Sequence, residues 1–330
     1  MTSGLGAAHA PAEKSRSTMP VRRLLLLPLL LVLSLTACAE RQEDTSGNSS
    51  TSDGAFPVEL TPEGAPAVTL DERPERIVSL SPSTTEVLYA VGAGDQVVAV
   101  DEMSTIPDDA PRTELSGLNP DPQAIASHDP DLVIVESDTD GKLADALGKT
   151  GTPTLVLTAP ATLDAMYDQF ELVGKATGHA QEGADLARQT EEEITKLVAD
   201  VGEAGKGLTY YHELDPSYYS VTSETFIGQV YGLFGLENIA DQGDPSAHGG
   251  YPQLSAETIL AEDPDLVFLA DTQCCGEDTA TVTKRPGWDT LTAVKEDQVI
   301  ELEDDAASRW TPRLVDFVRA VADAVTSAAA

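Results

Sequence analysis

Residues 125–133, Ile-Ala-Ser-His-Asp-Pro-Asp-Leu-Val, return as residues 259–267, Ile-Leu-Ala-Glu-Asp-Pro-Asp-Leu-Val, at an offset of 134. Each copy begins with helical character and stops at Asp-Pro, because proline lacks the N–H that a helix needs and biases the preceding residue toward extended backbone. Each then passes into an apolar run that reads as a buried strand. A fainter echo pairs residues 85–92 with 225–232, at an offset of 140. One such handover in each half predicts two similar α/β lobes.

The flanking sequence agrees. Short β-rich runs at 77–80, 97–101, 132–135 and 155–157 alternate with helical patterns such as 84–91, the signature of βα units and a parallel sheet. From about 180 to 204, Gly183 is the only glycine before Gly202, and Leu186, Ile194, Leu197 and Val201 recur at helical spacing, which predicts one long helix between the lobes. After Gly205-Lys206-Gly207 the alternation resumes with strands at 208–211, 266–269 and 299–302, a helix over 225–233 and a closing helix over 312–328. Two α/β lobes joined by one rigid helix leave a cleft between them, and a cleft of this kind is where a ligand is expected.

The chain of 330 residues carries 56 acidic and 20 basic residues, a formal charge of −36, with 41% hydrophobic and 5% aromatic residues. Such a charge repels polyphosphate backbones and anionic membrane surfaces. Arg22 and Arg23 precede the apolar run 24–36, which is too short to span a bilayer and reads as the core of an export signal. It closes on Leu35-Thr36-Ala37-Cys38, which resembles a bacterial lipobox and implies that Cys38 carries the lipid anchor. Removing residues 1–37 takes away Lys14, Arg16, Arg22, Arg23 and Glu13 and leaves a formal charge of −39. The expected organisation is a signal over 1–37, a lipidated Cys38 and flexible stalk over 38–70, an N-terminal lobe over 71–179, the interlobe helix over 180–206 and a C-terminal lobe over 207–330. Everything beyond the anchor is expected to lie outside the cytoplasm, held to the cell membrane by lipid alone.

Cations are scarce, so Arg309 and Arg313 stand out. A guanidinium offers a planar fork for carboxylate or other anionic oxygens, supplied either by a ligand or by the neighbouring Asp304 and Asp305. Trp310 adds a flat apolar face beside Arg309. Ser81 and Thr84 follow a buried strand and open a helix, where they would either meet an anionic ligand or cap the helix. Cys274 and Cys275 are adjacent; in an oxidising compartment they can close a vicinal disulfide, whereas a zinc site would need further donors that no nearby His or Cys supplies. His128, His179, His212 and His248 sit in no catalytic motif, which argues against an enzyme and against a site for a free metal ion. A surface adhesion or sensory module is the alternative of another class.

Several stretches resemble the substrate-binding lipoproteins of ABC importers for ferric siderophores, haem and vitamin B12. They are residues 76–86, Arg-Ile-Val-Ser-Leu-Ser-Pro-Ser-Thr-Thr-Glu, the two Asp-Pro-Asp-Leu-Val copies, Glu237-Asn238-Ile239 and residues 308–313, Ser-Arg-Trp-Thr-Pro-Arg. The resemblance covers about residues 73–328. It implies a non-enzymatic binding protein with two α/β lobes bridged by a helix, a membrane permease and its ATPase as partners, and no cofactor beyond the metal that the ligand brings. Against the B12-binding type, Tyr219 falls at an aromatic ligand contact, Tyr251 replaces a tryptophan, and Asp305 and Arg309 keep the Asp-x-x-x-Arg spacing. Met103 and Gly117 stand where that type places aromatics, which moves the expectation toward a ferric siderophore, with cobalamin or haem as alternatives. The resemblance also implies that Glu257 and the matching Gln123, helped by Asp121, face the permease.

Overall fold

The structure is a computed structural model that describes residues 56–242 and 247–330. The export signal, Cys38 and the first part of the expected stalk lie outside the described residues.

The stalk was expected to run to residue 70, and here the structure corrects the reading. Strands β1 (Val58–Leu60) and β2 (Val68–Leu70) pair antiparallel, with Val58 opposite Leu70 and Leu60 opposite Val68. Leu60 and Leu70 are buried in the main core. The Pro- and Gly-containing turn Thr61-Pro62-Glu63-Gly64-Ala65-Pro66 separates two short alternating runs, and its composition masked them.

The N-terminal lobe follows as β3 (Ile77–Leu80), α1 (Pro82–Ala90), β4 (Val97–Val100), α2 (Pro122–Ala126), β5 (Leu132–Val135), α3 (Lys142–Gly148) and β6 (Thr154–Val156). Helix α4 (Leu163–Thr177) leads into α5 (Ala180–Val201), the connector. The C-terminal lobe comprises β7 (Thr209–Glu213), α6 (Phe226–Gly232), β8 (Glu237–Asn238), α7 (Ala256–Glu262), β9 (Leu266–Leu269), α8 (Thr279–Val282), α9 (Thr292–Lys295), β10 (Val299–Glu301), α10 (Asp304–Ser308) and α11 (Leu314–Ala328).

Both sheets are parallel and share one topology. Their orders are β4-β3-β5-β6 and β8-β7-β9-β10, so in each lobe the first strand lies between the second and the third. The sequence repeat explains the likeness. Asp129 and Asp263 both take left-handed backbone, φ 51° and 44°, at the helix-to-strand turn, a conformation that Asp tolerates better than most residues. Two residues on, Asp131 accepts the N–H groups of Glu75 and Arg76 at 2.8 and 2.9 Å, and Asp265 accepts the N–H of Thr209 at 2.8 Å. Each repeat aspartate thus ties the entrance of its own strand to the entrance of the first strand of its sheet.

The connector is shorter than expected: α5 ends at Val201, where Gly202 turns the chain with φ 62°. The sequence reading also lacked α4, which packs against α5 at a close crossing. A methyl group on Gly174 would lie 2.6 Å from the His179 carbonyl oxygen, and one on Gly183 would lie 2.7 Å from that of Phe170. Only glycine permits that approach.

Strand parity assigns the core. Ile77, Leu132 and Ile134 of one sheet and Tyr210, Leu266 and Phe268 of the other belong to a single apolar cluster that also holds Phe170, Ile194 and Phe317. Alternate residues face outward into smaller clusters, Val78 and Val133 with Ile125 and Leu143 in one lobe, Tyr211 and Val267 with Ile259 and Trp288 in the other. The inner faces of both sheets therefore contribute to one continuous interior. Among the described residues no helix is long and apolar enough to cross a membrane.

Candidate ligand-binding cleft

In parallel α/β sheets ligands gather beyond the carboxyl ends of the strands. A cavity of about 490 Å³ lies there. Leu80 ends β3 and Pro82 follows it, Asp101, Glu102 and Met103 follow β4, and Glu136 and Ser137 follow β5; the loop around Gly117, Leu118 and Pro120 closes one side. The C-terminal lobe contributes Arg309. Leu118 is 89% exposed and Met103 is also largely exposed, which gives the rim an apolar lip. A larger hollow of about 740 Å³, between residues 69–75 and 148–153, lies at the opposite, amino end of the strands beside Asp131.

The cavity floor is acidic. Asp101 is 2% exposed, and its Oδ1 has no hydrogen-bond partner. Burial pushes its carboxyl above the usual range, against the pull of hydrogen bonds from Ser104 and of the Arg309 charge. Burial, reinforced by the Asp101 charge, raises Glu136 in the same direction. Gly117 is explained by proximity: a methyl group there would lie 2.6 Å from the Leu80 carbonyl oxygen and 2.8 Å from Asp101 Oδ2.

Arg309 and Arg313 form a linked set. Arg309 Nη2 lies 2.7 Å from Asp305 Oδ1 and its Nη1 lies 3.5 Å from Glu86 Oε1. Arg313 forks onto Glu86, with Nε to Oε2 at 2.8 Å and Nη2 to Oε1 at 3.0 Å, and reaches Glu303 at 2.8 Å. Helix α1 supplies Glu86, while the segment around α10 supplies both arginines, so the set bridges the lobes. The Asp305 carboxyl is raised, burial outweighing the opposing Arg309 charge. Asp304 pairs with neither arginine. It accepts the N–H groups of Thr272, Gln273 and Cys274 at 2.9, 3.0 and 2.8 Å and so fixes the loop after β9.

Among the residues singled out in the sequence, Arg309 lines the cavity and Asp305 holds it. Ser81 and Thr84 do not reach the cavity: Ser81 Oγ accepts the Thr84 N–H at 3.4 Å as the N-cap of α1, and both side chains are buried. Tyr219 and Tyr251 are 37% and 40% exposed and sit on one irregular ribbon, joined by the Tyr219–Gln253 bridge and the Ser220 N–H to Pro252 carbonyl bond of 2.9 Å. Neither is part of the cavity lining, and Trp310 packs half-buried against the main core. Cys274 and Cys275 are exposed free thiols, so the expected vicinal disulfide is not formed. The Asp304-capped loop satisfies this turn through its backbone N–H groups and leaves both sulfurs at the surface. Gln123 and Glu257 occupy the second position of α2 and α7, both exposed, behind the N-caps Asp121 and Ser255.

Asp101, Glu136 and Glu86 were missed. The available signal was position: Asp101 and Glu136 stand at the carboxyl ends of apolar strands, where a parallel sheet opens onto its ligand, and an acid there is costly to bury without purpose.

Comparison with known proteins supplies the family. Residues 77–306 match the model described as Periplasmic binding protein. A Bacillus subtilis protein, named as the uncharacterized ABC transporter substrate-binding lipoprotein YvrC, is 26% identical over 90% of this chain and 94% of its own. A Halobacterium salinarum cobalamin-binding protein is 28% identical over 82% of this chain and 74% of its own. The crystal structure of the periplasmic vitamin B12 binding protein BtuF of Vibrio cholerae superposes with a TM-score of 0.62 and 26% identity, covering 77% of this chain and 98% of that one. Two parallel α/β lobes, a cavity at their strand ends and a match across most of the folded part place this chain in the periplasmic binding protein family, the non-enzymatic substrate-binding components of ABC transporters.

Proposed function

We propose that the protein captures a metal chelate outside the cytoplasm and delivers it to the permease of an ABC importer driven by its ATPase. The observation that carries this reading is the cavity at the strand ends, apolar at its lip and acidic at its floor, with Arg309 reaching in from the second lobe. A corrinoid is the first choice of ligand. Its amide-rich periphery suits carboxyl acceptors, and the relatives above whose names specify a ligand are cobalamin-binding proteins. A ferric siderophore is the second reading, favoured by Met103 and Gly117, which leave the N-terminal side of the cavity without an aromatic wall. On this reading the ligand brings its own metal. Tyr219, Tyr251 and Trp310 are proposed to meet the larger bound chelate at the rim.

Lipidation of Cys38 would hold the protein at the outer face of the membrane, and a Cys38→Ser variant is expected to be released into the medium or left unprocessed. The decisive test is a titration of the purified protein with cyanocobalamin, a ferric hydroxamate siderophore and haemin, followed by quenching of its two tryptophans. Saturable binding of cyanocobalamin supports the first reading and of the siderophore the second. Absence of saturable binding to any of the three overturns both.

A further inference from the structure

Resting on the reading just given, we infer that Asp101 and Glu136 form a subsite that selects chelates presenting an N–H donor, a protonated amine or a carboxamide, and rejects polyanionic ones. Three observations carry this. First, Asp101 is almost wholly buried at the cavity floor, yet its Oδ1 has no partner within the protein. A buried acceptor left open costs free energy, and a donor from the ligand would recover it. Second, Asp101 lacks the neutralisation that Glu213 receives in the C-terminal lobe. Glu213, at the end of β7, is forked by Arg285 at 2.7 and 2.6 Å, whereas Arg309, the cation facing Asp101, is already committed to Asp305 and Glu86. Third, the lack of a side chain at Gly117 lets its loop close directly onto Asp101: a Cβ there would lie 2.8 Å from Asp101 Oδ2 and 2.6 Å from the Leu80 carbonyl oxygen. Any larger residue would have to move the Leu80 backbone or the carboxylate beside the cavity.

The charged groups that face Asp101 are Glu102, Glu136 and Arg309, and Asp101 faces Glu136 in turn. With three carboxylates around one committed guanidinium, the local field favours a cationic or neutral chelate and opposes a ferric tris-catecholate or a propionate-bearing ring. The same environment makes capture pH-dependent. Burial holds both carboxyls above their ordinary range, so they lose charge early as pH falls, and their attraction for an ammonium group weakens with it.

The test uses cyanocobalamin, a ferric trihydroxamate with a pendant ammonium group, and an anionic ferric tris-catecholate. Affinities are measured for the wild type and for the Asp101→Asn, Glu136→Gln double variant, which keeps the volume and removes the charge. The wild type is expected to bind at least one N–H-bearing probe about tenfold or more tighter than the tris-catecholate, and the double variant to lose that preference. Equal affinity of the wild type for the catecholate, or full selectivity in the double variant, overturns the subsite and leaves the cleft reading standing. No saturable binding of any probe overturns both. Should the double variant fail to fold, the wild type alone decides: affinity for whichever N–H-bearing probe binds tightest is followed as pH is lowered from about 8 through the carboxylate range. For the ammonium chelate a decline of several-fold supports the subsite and a flat profile overturns it. Where only cyanocobalamin binds, the Glu136→Gln single variant is expected to weaken it several-fold, and unchanged affinity overturns the subsite.

Discussion

Arg313 and Glu86 stand 227 residues apart in the chain and meet in a two-pronged ion pair, with contacts of 2.8 and 3.0 Å and the carboxylate almost entirely buried. The pair fastens the first helix of one lobe to the last segment of the other. It lies directly behind Arg309, whose second contact is also Glu86.

Breaking that pair from one side takes both Glu86 contacts from a largely buried guanidinium and leaves it only Glu303. Glu86→Ala is expected to lower unfolding stability by about 3 kcal/mol, read from denaturant midpoints. The combined Glu86→Leu, Arg313→Met variant is expected to recover much of the loss, since it removes both charges. A double variant as unstable as the single one would show that the loss comes from packing and not from the stranded charge.

Arg309 presents its guanidinium to the cavity from a position set by Asp305. Arg309→Ala is expected to weaken ligand binding ten- to a hundredfold, a change on the order of 1.5–3 kcal/mol. Isothermal titration with a folded variant checks this, and unaltered affinity would remove Arg309 from the site.

Gly117 has no room for a side chain. Gly117→Ala is expected to cost about 1–3 kcal/mol, because either the Leu80 backbone or the Asp101 carboxylate must shift. A calorimetric midpoint equal to that of the wild type would contradict the close approach.

His212 is wholly buried, with Nδ1 2.7 Å from the Tyr231 hydroxyl and Nε2 without a partner. Burial pulls its pKa from 6.5 down to about 3. A depressed folded-state value means that the unfolded chain takes up the proton first, so stability is whole above about pH 6.5 and declines as pH falls toward 3. Near pH 4.5 the histidine alone is expected to account for roughly 2–3 kcal/mol of lost stability. The raised carboxyls Asp101, Glu136 and Asp305 act in the opposite sense, each favouring the folded state as it protonates. A His212→Phe variant is therefore expected to show a flatter acid limb in urea midpoints; an unchanged limb would assign the acid sensitivity elsewhere.

Glu257 and Gln123 occupy equivalent exposed positions of the two lobes. Proposed as the permease-facing pair, they differ in charge, and rim charges act mainly on encounter rate and salt dependence. Glu257→Ala is expected to slow uptake in cells and leave ligand affinity of the purified protein as it was, with Gln123→Ala the milder change. Normal uptake by the Glu257 variant would move the docking surface elsewhere.

The architecture was largely legible because it is written twice. Asp-Pro-Asp-Leu-Val places a helix end, a left-handed turn and a buried strand in five residues, and its two copies predict two like lobes. Features whose meaning depends on a distant partner were not legible. Glu86 reads as one more acid in a helix until Arg313 is brought beside it, and Asp101 reads as the last residue of a strand until Gly117 is seen packed against its carboxylate. Helix α4 carries Leu163, Met166, Tyr167, Phe170 and Val173 at helical spacing and was open to reading, but its close crossing on α5 is specified by two glycines that carry no pattern. Ser81 was legible as either cap or contact, and only its burial decides for the cap.

The interior shared by the two sheets leaves no soft seam between the lobes. Strand residues of each contribute to one apolar mass, threaded by α4 and α5 and bolted on one side by Arg313. Much of the surface that a ligand touches is therefore standing before it arrives, and association spends little conformational entropy on closing.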